Sequence, residues 1–346
     1  MRRRTALLAT ATVTATVLAT ATGCAAEDTA SAAASNGTTP VTLALDWTPN
    51  TNHTGIYVAQ QLGWFKDAGI DLKIVPFGST APETLIANHK ADFGISYQEG
   101  VTTARAAGQD ITSVYAVTQK TNVTVSVRAD RDDIDSPKDL DGKTYAGFGA
   151  PYEKPLLQQV IRNDGGQGDF RNVTLNTSAY AALYAGKADF AMPMPTWEGL
   201  EAELSGKPLK NFPLSDYGFP AVYSTLIASS DQFLTKNPAL AKKFLAAVAK
   251  GYEYAATDPD QAADLLIKAN KSVLTNPELV KKSERLLAKE YYRAADGSVG
   301  GQSKERWQKF ADFEFRAGLL ADANGKKLTK APDASEFFTT DYLPEN

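Results

Sequence analysis

Residues Leu43 to Phe65 read LALDWTPNTNHTGIYVAQQLGWF. Apolar residues run from Val41 to Leu45, the polar break Asp46-Trp47-Thr48-Pro49-Asn50 follows, and Gly55 to Leu62 resumes with apolar residues at helical spacing. The pattern predicts strand, polar loop and helix. In open α/β sheets small ligands bind beyond the carboxyl ends of strands, beside the start of the next helix. Asp46, Trp47, Asn50 and His53 are therefore expected at the lip of a pocket.

Outward from this stretch, Ile70 to Phe77 alternates like a strand, and Pro82 to His89 suits a short helix with Pro in its first turn. Next comes KADFGISYQEG, Lys90 to Gly100, and the pattern recurs as KADFAMPMPTWEG, Lys187 to Gly199. Each copy reads as a helix end, a buried strand, and an aromatic and a glutamate before Gly, so one supersecondary unit occurs twice. The repeat predicts two similar α/β lobes with a ligand between them, one lobe presenting Tyr97 and Glu99, the other Trp197 and Glu198. Asn122 to Arg128 reads as a crossover strand. After it, SPKDLDGKTYAGFGAPYEKP reads as turn, helix, strand (Thr144 to Gly147) and Gly-rich loop, with Tyr152 and Glu153 ahead of a helix over Pro155 to Asn163. Past Trp197, the turn Asp216-Tyr217-Gly218-Phe219-Pro220 leads to a second crossover strand, Tyr223 to Ala228. Helical spacing then covers Pro238 to Ala256, Asp260 to Ala269, Pro277 to Tyr292 and Lys304 to Leu319. The expected division places residues 41–122 and 226–346 in the first lobe and 123–225 in the second.

A chain of 346 residues with 43% hydrophobic residues can bury a core for two domains or one large one. The net charge of −4 includes Arg2, Arg3 and Arg4, so the remainder is more acidic still, which argues against nucleic acid as a partner. Those arginines precede an Ala/Thr/Leu/Val run with no acid before Glu27, and residues 1–23 read as an export signal. A transmembrane anchor fits less well, because Ala6 to Thr22 is short and diluted by threonine. The paired arginines suit a twin-arginine route as well as the general one. Cys24 is the only cysteine, which excludes disulfides, thiol-metal sites and redox pairs. Two small residues before a lone Cys resemble the lipobox of bacterial lipoproteins, which makes Cys24 the lipidation site. The Ala/Ser/Thr-rich stretch over 24–40 then becomes a flexible tether. The expected location is the outer face of the cell membrane.

The loops named so far contribute Trp47, Tyr97, Tyr152, Trp197 and Tyr217 with Asp46, Glu99, Glu153, Glu198 and Asp216; Lys154 is the one cation nearby. A bound anion calls for Arg or a clear helix N-terminus, so this acidic, aromatic set points instead to a flat, aminated ring. A carboxylate pairs with a ring nitrogen and an adjacent exocyclic amine while an aromatic side chain stacks on the ring face, a match for an aminopyrimidine. Ordinary roles compete at each position. Asp46, Glu99 and Glu198 could cap helices, His53 could be structural, and Trp47, Tyr97 and Trp197 could be packed aromatics. Asp92 and Asp189 begin strands and read as structural, and His89 as surface. The sequence has no Ser-His-Asp spacing, metal cluster or Walker-type phosphate loop, and only two histidines. A paired-carboxylate hydrolase built on Glu99 and Glu198 is the enzymatic alternative.

LDWTPNTNHTGIYVAQQLGWFKDAGIDL, KADFGISY, SPKDLDGKT and DYGFP resemble the substrate-binding proteins of ABC importers for thiamine pyrimidine precursors, a group related to the yeast hydroxymethylpyrimidine phosphate synthase family. The resemblance runs from Val41 to about Leu319. It implies a two-lobed periplasmic-binding-protein fold of type II with two crossover strands, and a formylated or hydroxymethylated aminopyrimidine held between aromatic residues. Delivery to a membrane permease and its ATPase is implied too, with no cofactor and a monomeric chain. Riboflavin, nitrate and sulfonate binding proteins are the alternatives within this class. In the synthases a lysine that carries pyridoxal phosphate and a histidine follow the segment equivalent to KADFGI; the matching positions here are Ser96 and Gly100. The synthases' cysteine-rich segment falls near Ala221 to Leu226, which holds no cysteine. The resemblance therefore implies binding without the synthase chemistry.

Overall fold

The computed structural model describes residues 37–345. The expected export signal, Cys24 and most of the expected tether lie outside the described residues. The tether's last two residues are already structured, because β1 spans Thr39–Ala44. A polar loop and a 3-10 turn then lead into α1 (Thr54–Gln61), α2 (Trp64–Asp67), β2 (Ile70–Val75), α3 (Pro82–Ala87), β3 (Phe93–Ser96), α4 (Gln98–Ala106) and β4 (Thr112–Ala116). The chain crosses to β5 (Thr124–Arg128) and continues through β6 (Thr144–Gly147), α5 (Glu153–Asn163), β7 (Arg171–Thr174), α6 (Ala179–Tyr184), β8 (Phe190–Ala191), α7 (Leu200–Leu204) and β9 (Leu209–Pro213). It returns as β10 (Leu226–Ser229) and ends in helices α8 (Asp231–Lys236), α9 (Pro238–Thr257), α10 (Pro259–Ala269), α11 (Pro277–Glu290) and α12 (Lys304–Arg316). Proline opens α3, α9, α10 and α11, where its missing N–H costs nothing.

The strands form two five-stranded sheets, ordered β2-β1-β3-β10-β4 and β7-β6-β8-β5-β9. In each sheet the antiparallel member is the strand that has just crossed from the other: β10 between β3 and β4, and β5 between β8 and β9. This is the α/β, two-lobed architecture with two crossovers that the repeat predicted. The two KAD segments do the same work in both lobes. After the helix, Lys90 N–H donates to the Leu85 carbonyl and Lys187 N–H to that of Ala182. The aspartate then ties its strand to the parallel neighbour, β1 or β6: Asp92 accepts from Thr42 N–H at 2.7 Å, and Asp189 from Thr144 N–H at 2.7 Å.

Val41, Leu43, Phe93 and Ile95 of the first sheet pack with Ile56 and Val58 of α1 and with Phe244, Val248 and Tyr252 of α9. Helices α1 and α9 touch backbone to backbone. A Cβ on Gly251 would lie 1.9 Å from the Gly55 carbonyl oxygen, and one on Gly55 would lie 2.5 Å from the Tyr252 ring. The second core gathers Val125, Val127, Tyr145, Leu157, Phe190 and Phe212. Helix α12 joins the second core to a third cluster: Trp307 and Ala311 pack with Ile86, Val101 and Tyr223, while Phe310 sits in the second-lobe cluster, 5.7 Å from the Phe219 ring centroid. The crossovers are bonded to each other, with Asn122 N–H donating to Ser224 Oγ at 2.6 Å and Val222 N–H to Thr121 Oγ1 at 3.0 Å.

Two sequence expectations move. The return strand begins at Leu226 rather than Tyr223, because Tyr223 N–H is committed to Gln98 Oε1 and Thr225 N–H to Thr118 Oγ1. Helix α12 stops at Arg316, two residues before Gly318, whose φ of +66° lies in the left-handed region. Among the described residues no helix is long and apolar enough to cross a membrane.

Candidate ligand-binding site

The loop after β1 is fixed from below before it meets any ligand. Asn50 Oδ1 accepts from Asn52 N–H at 2.9 Å and caps the turn Thr51–His53. Tyr252 of α9 donates its hydroxyl to the Asn52 carbonyl at 2.7 Å, and Tyr292 donates to that of Thr51 at 2.9 Å. Thr51 and Ser283 share a 2.6 Å hydrogen bond, and the Thr54 hydroxyl donates to Glu284 of α11. Glu284 is fully buried, and desolvation pushes its carboxyl up to about 8, against the hydroxyls that hold it. His53 is also fully buried. Its Nδ1 accepts from Asn50 N–H, so Nε2 carries the proton and donates to Asp46 Oδ1 at 2.9 Å. One Asp46 oxygen is thereby held from behind, with the carboxylate at the cavity wall.

A cavity of about 100 Å³ lies between the two sheets. The first lobe contributes Asp46, Trp47, Asn50, Asn52 and Tyr97, and the crossovers add Val123 and Ser224. The second lobe contributes Phe148, Tyr152, Glu153 and Tyr180, and, from the KADFAMPMPTWEG repeat, Met192, Met194, Trp197 and Glu198. Rings meet across the cleft, with Trp47 4.9 Å from Phe148 and 6.1 Å from Tyr180 between centroids, and Tyr97 5.3 Å from Tyr152. Trp197 also packs against the α10/α11 cluster of Tyr57, Leu266 and Val280, so a second-lobe loop is seated on first-lobe helices.

Three carboxylates face this cavity, and no Lys or Arg lines it. Glu198 accepts from Met194 N–H at 3.0 Å, yet burial raises its carboxyl to about 7. Glu153 is raised by burial as well, less so because it accepts from Phe148 N–H at 3.2 Å and Gly149 N–H at 3.0 Å. Asn52 donates through Nδ2 to Met194 Sδ at 3.2 Å, while its Oδ1 is buried without a donor. The cavity thus combines acceptors, a carboxyl able to hold or release a proton near neutrality, and ring faces. Among the described residues no group of His, Cys, Asp and Glu could hold a metal ion.

A family model described as NMT1/THI5 like matches residues 50–262, more than half of the chain. This chain belongs to the NMT1/THI5-like family. Among similar proteins of that family, a formylaminopyrimidine-binding protein of Halalkalibacterium halodurans is 30% identical over 278 residues, covering 78% of this chain and 82% of that protein. The 4-amino-5-hydroxymethyl-2-methylpyrimidine phosphate synthase THI5 of Saccharomyces cerevisiae is 25% identical over 318 residues, 88% of each chain. In fold, the chain is similar to the alkanesulfonate-binding protein SsuA of Xanthomonas axonopodis pv. citri, with a TM-score of 0.65 at 16% identity over 87% of this chain and 98% of that one. The NMT1/THI5-like chain therefore has the type II periplasmic-binding-protein architecture that its sequence resemblance implied.

Of the residues singled out in sequence, Asp46, Trp47, Asn50, Tyr97, Tyr152, Glu153, Trp197 and Glu198 meet at this cavity, and four do not. His53 stands behind Asp46 with no exposed surface. Glu99 sits in the first turn of α4, where burial lifts its carboxyl to about 7, and it is not part of the cavity wall. Asp216 and Tyr217 lie on the outer side of the second lobe. Asp216 is exposed, and the Tyr217 carbonyl accepts from Asn163 Nδ2 at 2.7 Å in a turn closed by Gly218 at φ +78°. The DYGFP turn is structural because Phe219 drops from it onto α12. Lys154 is exposed and away from the wall. Sequence reading missed Asn52, Phe148, Tyr180, Met192 and Met194. The two methionines lie inside the repeated segment, where the residues between strand and glutamate were the available signal.

Proposed function

We propose that this chain is the extracytoplasmic solute-binding component of an ABC importer, and that it closes its lobes on an aminopyrimidine precursor of thiamine for delivery to a membrane permease. The observation that carries this reading is the cavity itself: Asp46, Glu153 and Glu198 with aromatic rings from both lobes, and no cationic side chain. That set fits a flat ring bearing an amine better than a sulfonate or nitrate, because a buried anion would add to carboxylates without an Arg to receive it. A carboxyl near neutrality, as at Glu198, can pair with a ring nitrogen in either protonation state, and the orphaned Asn52 Oδ1 supplies an acceptor for the exocyclic amine. The formylaminopyrimidine-binding relative supports the same ligand class.

The rest of the cycle belongs to this proposal. Cys24 carries a lipid anchor, the lobes divide as 41–122 with 226–346 and 123–225, and closure pivots on the two crossovers while ligand shifts the population toward the closed form. The chain acts without catalysis. Ser96 donates its hydroxyl to the buried Glu83, and the same carboxylate lies over Gly100, so neither position offers a lysine or a histidine.

Thermal shift and calorimetry of the purified protein against formylaminopyrimidine, hydroxymethylpyrimidine, riboflavin, taurine and nitrate test the reading. Pyrimidines at a hundredfold excess over Kd should add about 2.7 kcal/mol of stability. Stabilisation by taurine or nitrate alone would replace the cargo, and pyrimidine turnover would overturn the non-catalytic assignment.

A further inference from the structure

A second, larger space adjoins the cavity. It is a groove of about 610 Å³ that runs between α3 and α4 on the first lobe and the 148–152 loop with Asn176 and Thr177 on the second. Asp46, Tyr97, Phe148 and Tyr152 line both spaces, so these four side chains form the partition between them. The inner cavity has room for a single ring. The groove has room for another group of similar or larger size attached to it.

The groove is built from ring faces and carboxylates. Phe77, Phe148, Tyr97 and Tyr152 supply the rings, and Glu83 and Asp46 the charge, with no Lys or Arg on the wall. Glu83 is 8% exposed, its Oε1 accepts from the Ser96 hydroxyl, and no cationic group acts on it. At the partition, the Tyr97 hydroxyl is acted on by Glu83, Asp46, Glu99 and Glu153, again with no cation among them. Burial raises the Glu83 carboxyl, so it holds its proton more readily than a free acid, and a cationic partner beside it is what favours the ionised form. Aromatic faces strengthen the preference for a delocalised cation, whereas a phosphate ester would be repelled by the same carboxylates.

Resting on the function proposed above, we infer that the groove is a second subsite, and that the preferred cargo is an aminopyrimidine whose side arm ends in a positively charged heteroaromatic group. The pyrimidine occupies the inner cavity, the linking carbon passes the Tyr97–Tyr152 partition, and the cationic ring lies against the paired Phe77 and Phe148 rings, 5.9 Å apart between centroids, on the side of Glu83. The inner cavity sets which ring is admitted, and the groove sets which substituent it carries.

Calorimetry with three probes tests this: hydroxymethylpyrimidine, its phosphate ester, and thiamine, in which the aminopyrimidine is joined through one carbon to a cationic thiazolium ring. Thiamine should bind at least about tenfold more tightly than either hydroxymethylpyrimidine or its phosphate ester. Glu83→Gln should lower the ratio of thiamine to hydroxymethylpyrimidine affinity about tenfold. Thr103→Lys, on the groove wall in α4, should shift the ratio the same way if the Glu83 variant does not fold. Thiamine binding no tighter than hydroxymethylpyrimidine, or a ratio unmoved in both variants, would overturn the subsite and leave the proposed function standing. Binding of none of the three would overturn both.

Discussion

Replacing Glu284 by glutamine should change the sign of its effect on stability between pH 5 and pH 8. The carboxyl is fully buried beneath the site loop and is raised from its ordinary value of 4.5 to about 8 by desolvation. In the unfolded chain it ionises near 4.5, so between the two values the native state holds a proton that the unfolded state has released. Stability is fully present below pH 4.5 and falls as pH rises toward 8, by about 1.4 kcal/mol per pH unit, on the order of 4–5 kcal/mol in all. Glutamine removes that dependence. Protonated Glu284 accepts from Thr54 and donates to the Tyr292 hydroxyl at 2.9 Å, whose own proton goes to the Thr51 carbonyl; glutamine can match this with its carbonyl oxygen and amide N–H, and the changed geometry should cost about 1 kcal/mol. The variant should therefore be about 1 kcal/mol less stable than wild type at pH 5 and about 2–3 kcal/mol more stable at pH 8. Urea unfolding followed by circular dichroism at pH 5, 6, 7 and 8 reads this directly. Glu99 and Glu198, both raised to about 7, titrate in both proteins and cancel in the difference. Parallel stability curves across the range would refute the assignment of Glu284 as a buried, protonated acid.

Trp197→Ala should weaken pyrimidine binding by about 1–3 kcal/mol in calorimetry, because the ring forms a cavity wall; an unchanged Kd would remove it from the site. Gly251→Ala should lower the unfolding free energy by about 1–3 kcal/mol or more, since its Cβ would overlap the Gly55 carbonyl and α1 would have to move away from α9. Asp92→Ala and Asp189→Ala should each cost about 1–3 kcal/mol in denaturant unfolding, one in each lobe, because each strips the acceptor from a strand N–H; a loss in one variant alone would show that the repeat is not equivalent in the two lobes.

Much of the fold could be read because its signals are local. The strand-loop-helix of 39–61 and the two KAD segments carry their own capping, turn and packing chemistry, and β6 spans the expected Thr144–Gly147. The strands that escaped are those whose partners decide them. β7 reads RNVT and β9 reads LKNFP, both on sheet edges where alternation is faint, and β4 reads TSVYA, a short run buried throughout that shows no alternation either. The site divides in the same way. Asp46 and Tyr97 follow closely on β1 and β3, and Trp197 lies in the helical turn Pro195–Gly199 after β8, so sequence position fixes their location. Tyr180 projects from the first turn of α6 and reaches the cleft only because the second lobe is set against the first. Asp216 and Tyr217 had the right composition in the wrong place, because nothing in DYGFP shows that Phe219 anchors the turn to α12.

The strand order also dictates a schedule of manufacture. Every strand of the second sheet lies in one unbroken run, from Thr124 to Pro213, so it can be assembled as soon as that run leaves the ribosome. The first sheet is begun earlier and finished later, since β3 and β4 each keep an unpaired edge until Leu226–Ser229 arrives between them. The loop that opens the chain waits longer still, because its floor includes Tyr252, Glu284 and Tyr292. A nascent chain that has passed Pro213 therefore pairs a complete second sheet, its core still waiting for Phe219 and for Phe310 of α12, with a half-made first sheet whose open strand edges are what chaperones can hold.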